Sequence, residues 1–452
     1  MFSLLNRMNN SVKSQFIPQV FSGDRIQIKT INLIVIVSLI ACCLITYQQV
    51  FDNDFQYKWD DQWVVINSYT EEGLNHYNLW NVLTEFYHGQ YAPVNEFFYI
   101  LLYTFFGYDP FWFHAASLLV HISNVLLLYF LVLRILLTGN KEQAGAWRIP
   151  FITALLFAIH PFLVQAVAWM AASKIIVYTL FYLIALHFYI TYITTEKYRY
   201  YFLVILFFII SFGAKEQAVT LPVCLILFDY FLQRNVHKWS VWLEKIPFFL
   251  LSIFFGILSI ISQGRTANME GQKIYPFYQR IILASYTLIE YLTKCLLPFK
   301  LSYLYVFPNN PGEPLPLRFW IYPFIILIMG YCLYRYYKQL RILLAGFVFF
   351  LIHIGIVLNL FSLKRFELVA DRYAYLAAAG IFFSLAWLFD QLISGKKKLR
   401  KLYAAMIIVY FSGLGIYAYQ RTFVWHDSDT LKTELRHLLD TEKAHFLNKS
   451  DY

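Results

Sequence analysis

Eleven apolar runs, each near the length that crosses a bilayer, constrain this 452-residue chain more than any single motif. They lie near 31–49, 112–134, 149–168, 174–194, 200–213, 217–233, 243–262, 318–337, 342–362, 374–393 and 402–420. A hydrocarbon core about 30 Å thick is crossed by a helix of about 20 such residues. Inside lipid, the backbone must satisfy its own N–H and C=O groups, so runs of this kind fold as helices. The chain is 59% hydrophobic and only 14% charged, against roughly 25% charged residues in a soluble domain. The expected fold is therefore all-α: a polytopic transmembrane helix bundle. Segments 93–106 and 278–297 are ambiguous. The first is short and ends at Gly107 and Pro110; the second carries Arg280, Glu290 and Lys294. Both read as interfacial or re-entrant helices, and counting them as spans gives thirteen instead of eleven.

Charge bias sets the orientation. With the N-terminus inside, the segments 1–30, 134–148, 195–199, 234–245, 335–341 and 394–401 carry 20 of the 37 Lys and Arg residues, and the longer opposite loops carry 17. The positive-inside rule then favours eleven spans, N-in and C-out. The domain reading is a cytoplasmic segment 1–30, a transmembrane domain 31–420 whose first outer loop spans 51–93, and a short non-cytoplasmic tail 421–452. The apolar run after residue 30 lacks a small-residue cleavage site and reads as a retained first helix. The net charge of +10 sits in short connectors, not in one basic stripe, so nucleic acid is no partner here. The five cysteines show no CxxC or His/Cys ligand spacing, and no phosphate-binding glycine loop or HExxH occurs. No metal site is expected from spacing alone.

This topology gathers Asp60, Asp61, His160, Lys174, Lys215, Glu216, Arg265, Lys364, Arg365, Asp371 and Arg372 at one membrane face, the non-cytoplasmic one. Ionisable groups at membrane depth are costly and mark cavities. Carboxylates facing cations on one side suit an anionic, membrane-borne substrate. Within the first outer loop, Leu79, Val82, Leu83, Phe86 and Tyr87 recur at helical spacing, which predicts an amphipathic helix lying on the membrane or capping a cavity.

The polar residues fall in an order that resembles the transmembrane-and-tetratricopeptide O-mannosyltransferases, within the GT-C class of polyprenyl-phosphate-sugar-dependent glycosyltransferases. The matching pieces are Trp59-Asp60-Asp61 with Ile66-Asn67, then Tyr91 and Pro93, Phe106-Gly107 with Pro110, Phe113-His114 and His121. Leu155 through Pro161 follows, leading into Ala166-Val167-Ala168-Trp169, then Lys215-Glu216-Gln217 with Thr220-Leu221-Pro222. Asp371-Arg372-Tyr373, Tyr375-Leu376, Arg421, Trp425 and Leu431 close the set. There are departures. Ala92 stands where the family has Arg, Gln165 where it has Glu, and Asp371 where Glu is usual. Ala172-Ser173-Lys174-Ile175 replaces a Gly-Arg-x-Asp stretch. The sequence stops where the family's first repeat would begin.

The resemblance implies a GT-C-like fold and transfer of a sugar, mannose by family default, from a polyprenyl-phosphate donor to a hydroxyl acceptor such as Ser or Thr of an exported protein. In that reading Asp60 is the general base. Asp61 orients it, holds the sugar or helps to hold a divalent cation. Lys174, Lys215, Arg265, Arg365 and Arg372 are candidates for the lipid phosphate, since Arg grips phosphate in a planar fork and Lys acts as a point charge. Glu216 pairs with Lys215 or lines the site, Asp371 pairs with Arg372 or lines the site, and His160 borders the cavity or packs in the core. The length leans towards a bacterial inner membrane with the site facing the periplasm, or the endoplasmic reticulum membrane in a eukaryote. The alternatives are a lipid or sugar transporter, for which Asn124 and Glu290 speak, and a non-catalytic assembly relative, for which Gln165 and Ser173 speak.

Overall fold

A computed structural model describes residues 22–139, 147–265, 275–338, 340–358, 360, 367–395 and 398–447. Among these the chain forms nineteen α-helices, short 3-10 turns and no strand beyond two isolated bridges. The first half holds α1 (Ser22–Tyr47), α2 (Asp61–Val64), α3 (Ser68–Glu72), α4 (His76–Thr84), α5 (Pro93–Phe106), α6 (Pro110–Gly139), α7 (Arg148–Ile159), α8 (Val164–Ala168), α9 (Ser173–Thr195) and α10 (Tyr198–Ala214). The second half holds α11 (Leu221–Phe231), α12 (Trp239–Leu243), α13 (Ile246–Arg265), α14 (Phe277–Leu296), α15 (Ile321–Arg335), α16 (Arg341–Ile354), α17 (Tyr375–Ser394), α18 (Arg400–Thr422) and α19 (Ser428–Leu447).

Among the described residues, seven segments are long and apolar enough to cross a membrane: Ile31–Asp52, Pro110–Thr138, Met170–Thr195, Trp239–Ser262, Leu317–Arg335, Asp371–Ser394 and Arg400–Trp425. An eighth is the pair Arg148–Ile159 and Pro161–Ala168, bent by 56°. The bend follows from Pro161, which pushes His160 out of the α region to φ −78°, ψ 125°. Three of the apolar runs are helical but short. Tyr198–Ala214 has 17 residues, Arg341–Ile354 has 14 and Leu221–Phe231 has 11. At 1.5 Å per residue none reaches about 30 Å unaided. The ambiguous 93–106 segment is a 14-residue helix, and 278–297 is a 20-residue helix that carries its three charges.

Burial ranks the spans. Two thirds of the apolar window in Met170–Thr195 is buried (67%), against 6% in Leu317–Arg335, so α9 sits at the centre and α15 faces the surroundings. Around α9 pack α6, α10 and α17, with α7 against α6 and α17. Helices α16 and α17 approach closely at Gly346 and Gly380. A Cβ built on Gly380 would lie 2.2 Å from the Gly346 carbonyl oxygen. Small residues that let backbones touch are the usual means of helix association in lipid. Buried Asn124 donates to the Ile176 carbonyl at 2.9 Å and to the Tyr375 hydroxyl at 3.3 Å, tying α6, α9 and α17 together.

The first outer loop is folded, not extended. Asn67 and Asn75 cap α3 and α4 through their side chains. Pro93 occupies the first turn of α5, and Gly107, at φ 60°, ends it. The amphipathic helix expected near 79–87 is α4, but its faces differ from the reading above. Val82 is buried with Asn78, whereas Leu74, Tyr77, Trp80 and Leu83 are exposed. Phe86 and Tyr87 lie past the helix, where Tyr87 bridges to Gln90 in a tight turn. The C-terminal segment packs on this loop. Gln56 donates to the Trp425 carbonyl at 2.9 Å, the Asp54 amide donates to the His426 carbonyl at 2.8 Å, and Lys58 pairs with Asp429 at 2.6 Å.

Candidate functional site

Asp60 and Asp61 sit side by side and do different work. Asp61 is fully buried. One carboxylate oxygen accepts from the Gln56 amide and the other from the Ala171 amide, both at 2.8 Å. It thereby fastens the outer loop to the turn that leads into α9. Burial pushes its carboxyl up to about 7, against the pull of those two amides, and the charge of Asp60 pushes the same way. Asp60 precedes α2 and its carbonyl accepts from the Trp63 and Val64 amides, but its side chain caps no helix and is partly exposed. Of the pair, Asp60 is the carboxylate open to solvent. Each oxygen of Asp61 accepts one amide hydrogen bond and keeps a second lone pair. Among the described residues no group of three or more His, Cys, Asp or Glu side chains is placed to hold a metal.

The cations gather around Lys174. Lys174, in the first turn of α9, donates to the Gln90 side-chain carbonyl at 2.6 Å. Its charge lies within Coulombic reach of Lys215, Glu216, Arg372 and Asp60. Lys215 is nearly buried where α10 ends and pairs with Glu216 at 2.7 Å. Burial pushes the Glu216 carboxyl up, but the ammonium of Lys215 and the charge of Lys174 outweigh it, and the net direction is down. Arg372 anchors its amide on the Gln165 side chain at 2.8 Å. Its guanidinium pairs with Glu367 and lies over the rings of Trp169, at 5.1 Å, and Tyr373, at 4.8 Å. Trp169 in turn stacks on Trp425 at 5.4 Å.

The remaining sequence candidates part company with this group. Asp371 is buried and accepts from the Tyr305 hydroxyl at 2.8 Å; Glu367, not Asp371, is the partner of Arg372. His160 is fully buried, with Nδ1 accepting from the Phe162 amide at 3.3 Å and its ring 4.8 Å from Phe382. It holds the bend after α7 and is a core ring. Arg265 ends α13, and its side chain lies outside the described residues, as do Lys364 and Arg365.

Beside the acids lies a cleft that motif reasoning passed over. It measures about 490 Å³ counted to its open mouth, and Trp63, Tyr69, Tyr87, Glu85, Gln90, Asn95, Glu96 and Lys174 line it. Glu96, in the first turn of α5, accepts from the Thr70 hydroxyl at 3.0 Å. Burial pushes its carboxyl up to about 7, against hydrogen bonds from Asn67 and Thr70. The Glu85 carboxylate accepts from the Tyr69 hydroxyl. Of its lining, the sequence singles out Lys174, Tyr87 and Pro93, but not Glu96.

Fold and site together define a polytopic helical membrane protein with a polar, two-signed cluster at the foot of its loop 51–93. No protein-family model matches the chain, and no curated protein matches it significantly.

Proposed function

We propose that this protein is a GT-C-type glycosyltransferase that moves a sugar from a polyprenyl-phosphate donor to a hydroxyl acceptor on the non-cytoplasmic face of its membrane. One juxtaposition carries the reading: the Lys174 ammonium at the start of α9 is set among the charges of Lys215, Glu216, Arg372 and Asp60, and the Asp60 carboxylate is partly exposed. Glycosyl transfer needs this pairing of opposites. The acceptor oxygen attacks the anomeric carbon, the bond from that carbon to the phosphate oxygen breaks, and the acceptor proton passes to Asp60. The polyprenyl phosphate departs with its negative charge held by the cations. Direct attack inverts the anomeric centre. Asp61 positions Asp60 by clamping the loop to the start of α9, and a role for it as second base is disfavoured by its two amide partners.

The reading extends the seven or eight spans to eleven, with α10, α11 and α16 crossing as short helices, the N-terminus inside and the outer loop facing a bacterial periplasm or its eukaryotic equivalent. Mannose is the proposed sugar, following the resemblance of the Trp59-Asp60-Asp61 and Lys215-Glu216-Gln217 segments. The test is turnover: purified protein in lipid nanodiscs is given polyprenyl-phosphate [14C]mannose and a panel of hydroxyl acceptors. Release of polyprenyl phosphate with label in the acceptor is the expected result. Labelled lipid carried across a sealed bilayer with its phosphate–sugar bond intact would show a transporter instead.

A further inference from the structure

The outer-loop cleft has a chemistry of its own. Its rings come from α2, α3 and the turn after α4: Trp63, Tyr69 and Tyr87. Tyr69 and Tyr87 meet edge to face at 5.4 Å, and Trp63 and Tyr87 both pack on His88, at 5.0 Å and 4.5 Å. Its polar groups come from the starts of α5 and α9 and from the turn before α5: Asn95, Glu96, Lys174 and Gln90. Several are held in place. Lys174 bonds Gln90, Thr70 bonds Glu96, and Ser173 donates to the Asn95 side-chain carbonyl at 3.1 Å.

Carboxylate and carboxamide groups fixed beside flat rings suit one kind of ligand. A pyranose has an apolar C–H face that packs on an aromatic ring and an equator of hydroxyls, each both donor and acceptor. An acyl or prenyl chain would take these polar groups from water and offer them no hydrogen bond in return, which is costly. A strongly basic peptide would find an ammonium in the same wall. A free phosphate would meet two carboxyls. We propose that the cleft lined by Trp63, Tyr87, Gln90, Asn95 and Glu96 is a pyranose subsite. The proposal rests on the glycosyl-transfer reading for its place in a reaction, because Lys174 joins this cleft to the Asp60 cluster. The bound ring is either the sugar of the lipid donor or a sugar that carries the acceptor hydroxyl. A site built to pair with hydroxyls discriminates strongly against ligands lacking them.

The experiment measures binding of methyl α-mannopyranoside to the nanodisc-embedded protein by saturation-transfer NMR, followed by steady-state transfer kinetics. Glu96→Gln, nearly isosteric, and Trp63→Ala are the variants, with a thermal melt confirming that each is folded. Saturation on the pyranoside ring protons, lost by tenfold or more in both folded variants and retained in Asp60→Asn, is the expected result. A raised KM for the lipid donor then assigns the donor sugar, and a raised KM for a soluble glycoside with donor KM unchanged assigns the acceptor. Either pattern supports the subsite. Undiminished pyranoside binding and unchanged KM values in folded variants would overturn it while leaving glycosyl transfer standing. Variant-sensitive pyranoside binding with no transfer by the wild type would sink the enzymatic reading and keep the subsite. Preferential binding of an unglycosylated Ser/Thr hexapeptide in the cleft, abolished by the same variants, would overturn the subsite in favour of a peptide groove.

Discussion

At the scale of residues, two neighbouring acids have unlike surroundings, Asp61 being fully buried and Asp60 partly exposed. The step Trp59-Asp60-Asp61 marked both, but a sequence does not say which carboxylate will be claimed by backbone amides. The amides of Gln56 and Ala171 that claim Asp61 come from five residues before it and from 110 residues after it. The second contact exists only once α9 has docked. Lys174, Lys215 and Arg372 were legible because charges at helix ends are rare in a chain this apolar. Glu96 was not, since an acid in the first turn of a helix is ordinary, and only the folded loop buries it. That burial makes a testable case. The Glu96 carboxyl rises from 4.5 to about 7 in the folded chain, so folded protein holds this proton where unfolded protein has lost it. The contribution to stability is fully present below about pH 4.5 and is lost as pH rises through about 7. Thermal or urea unfolding of Glu96→Gln should show a stability difference between pH 5 and pH 8 smaller by about 2 kcal/mol than in the wild type. Some slope should remain, because Asp61 is shifted in the same direction. An unchanged slope would mean that Glu96 is solvated in solution.

At the scale of elements, hydropathy placed the helices well and their lengths less well. Every apolar run named from the sequence is helical over most of its described residues, because lipid leaves the backbone few alternatives. What hydropathy could not show is where a helix breaks. His160 and Pro161 split one run, and Lys215-Glu216 separates α10 from a helix of only 11 residues. The apolar stripe of α4 divides in the fold, Val82 going to the core and Leu83 staying exposed. Periodicity locates an apolar stripe but does not say whether core or membrane receives it. The contact between α16 and α17 is the clearest element-level prediction. A methyl group on Gly380 meets the Gly346 carbonyl oxygen, a backbone atom that cannot rotate away. Gly380→Ala should cost about 1–3 kcal/mol and lower the thermal midpoint in detergent. Gly413, whose added Cβ meets nothing within 4 Å, should tolerate the same change, and that is the matched control. Equal midpoints for the two variants would contradict the packing.

At the scale of the whole molecule, the account requires that the first outer loop and the C-terminal segment share one side of the membrane, as the hydrogen bonds from Gln56 to Trp425 and from the Asp54 amide to His426 demand. Charge bias named that side as non-cytoplasmic. In a cysteine-free background, a membrane-impermeant maleimide applied to intact cells should label Gln62→Cys but not Lys238→Cys, both being exposed positions. The reverse pattern would invert the topology. In the proposed reaction Asp60 removes the acceptor proton, and single-turnover transfer by Asp60→Asn in nanodiscs loaded with polyprenyl-phosphate [14C]mannose reads that step. General-base loss predicts a rate lower by about 10²–10⁴-fold with donor binding and thermal midpoint preserved. A folded Asp60→Asn protein that transfers mannose at the wild-type rate would contradict the account.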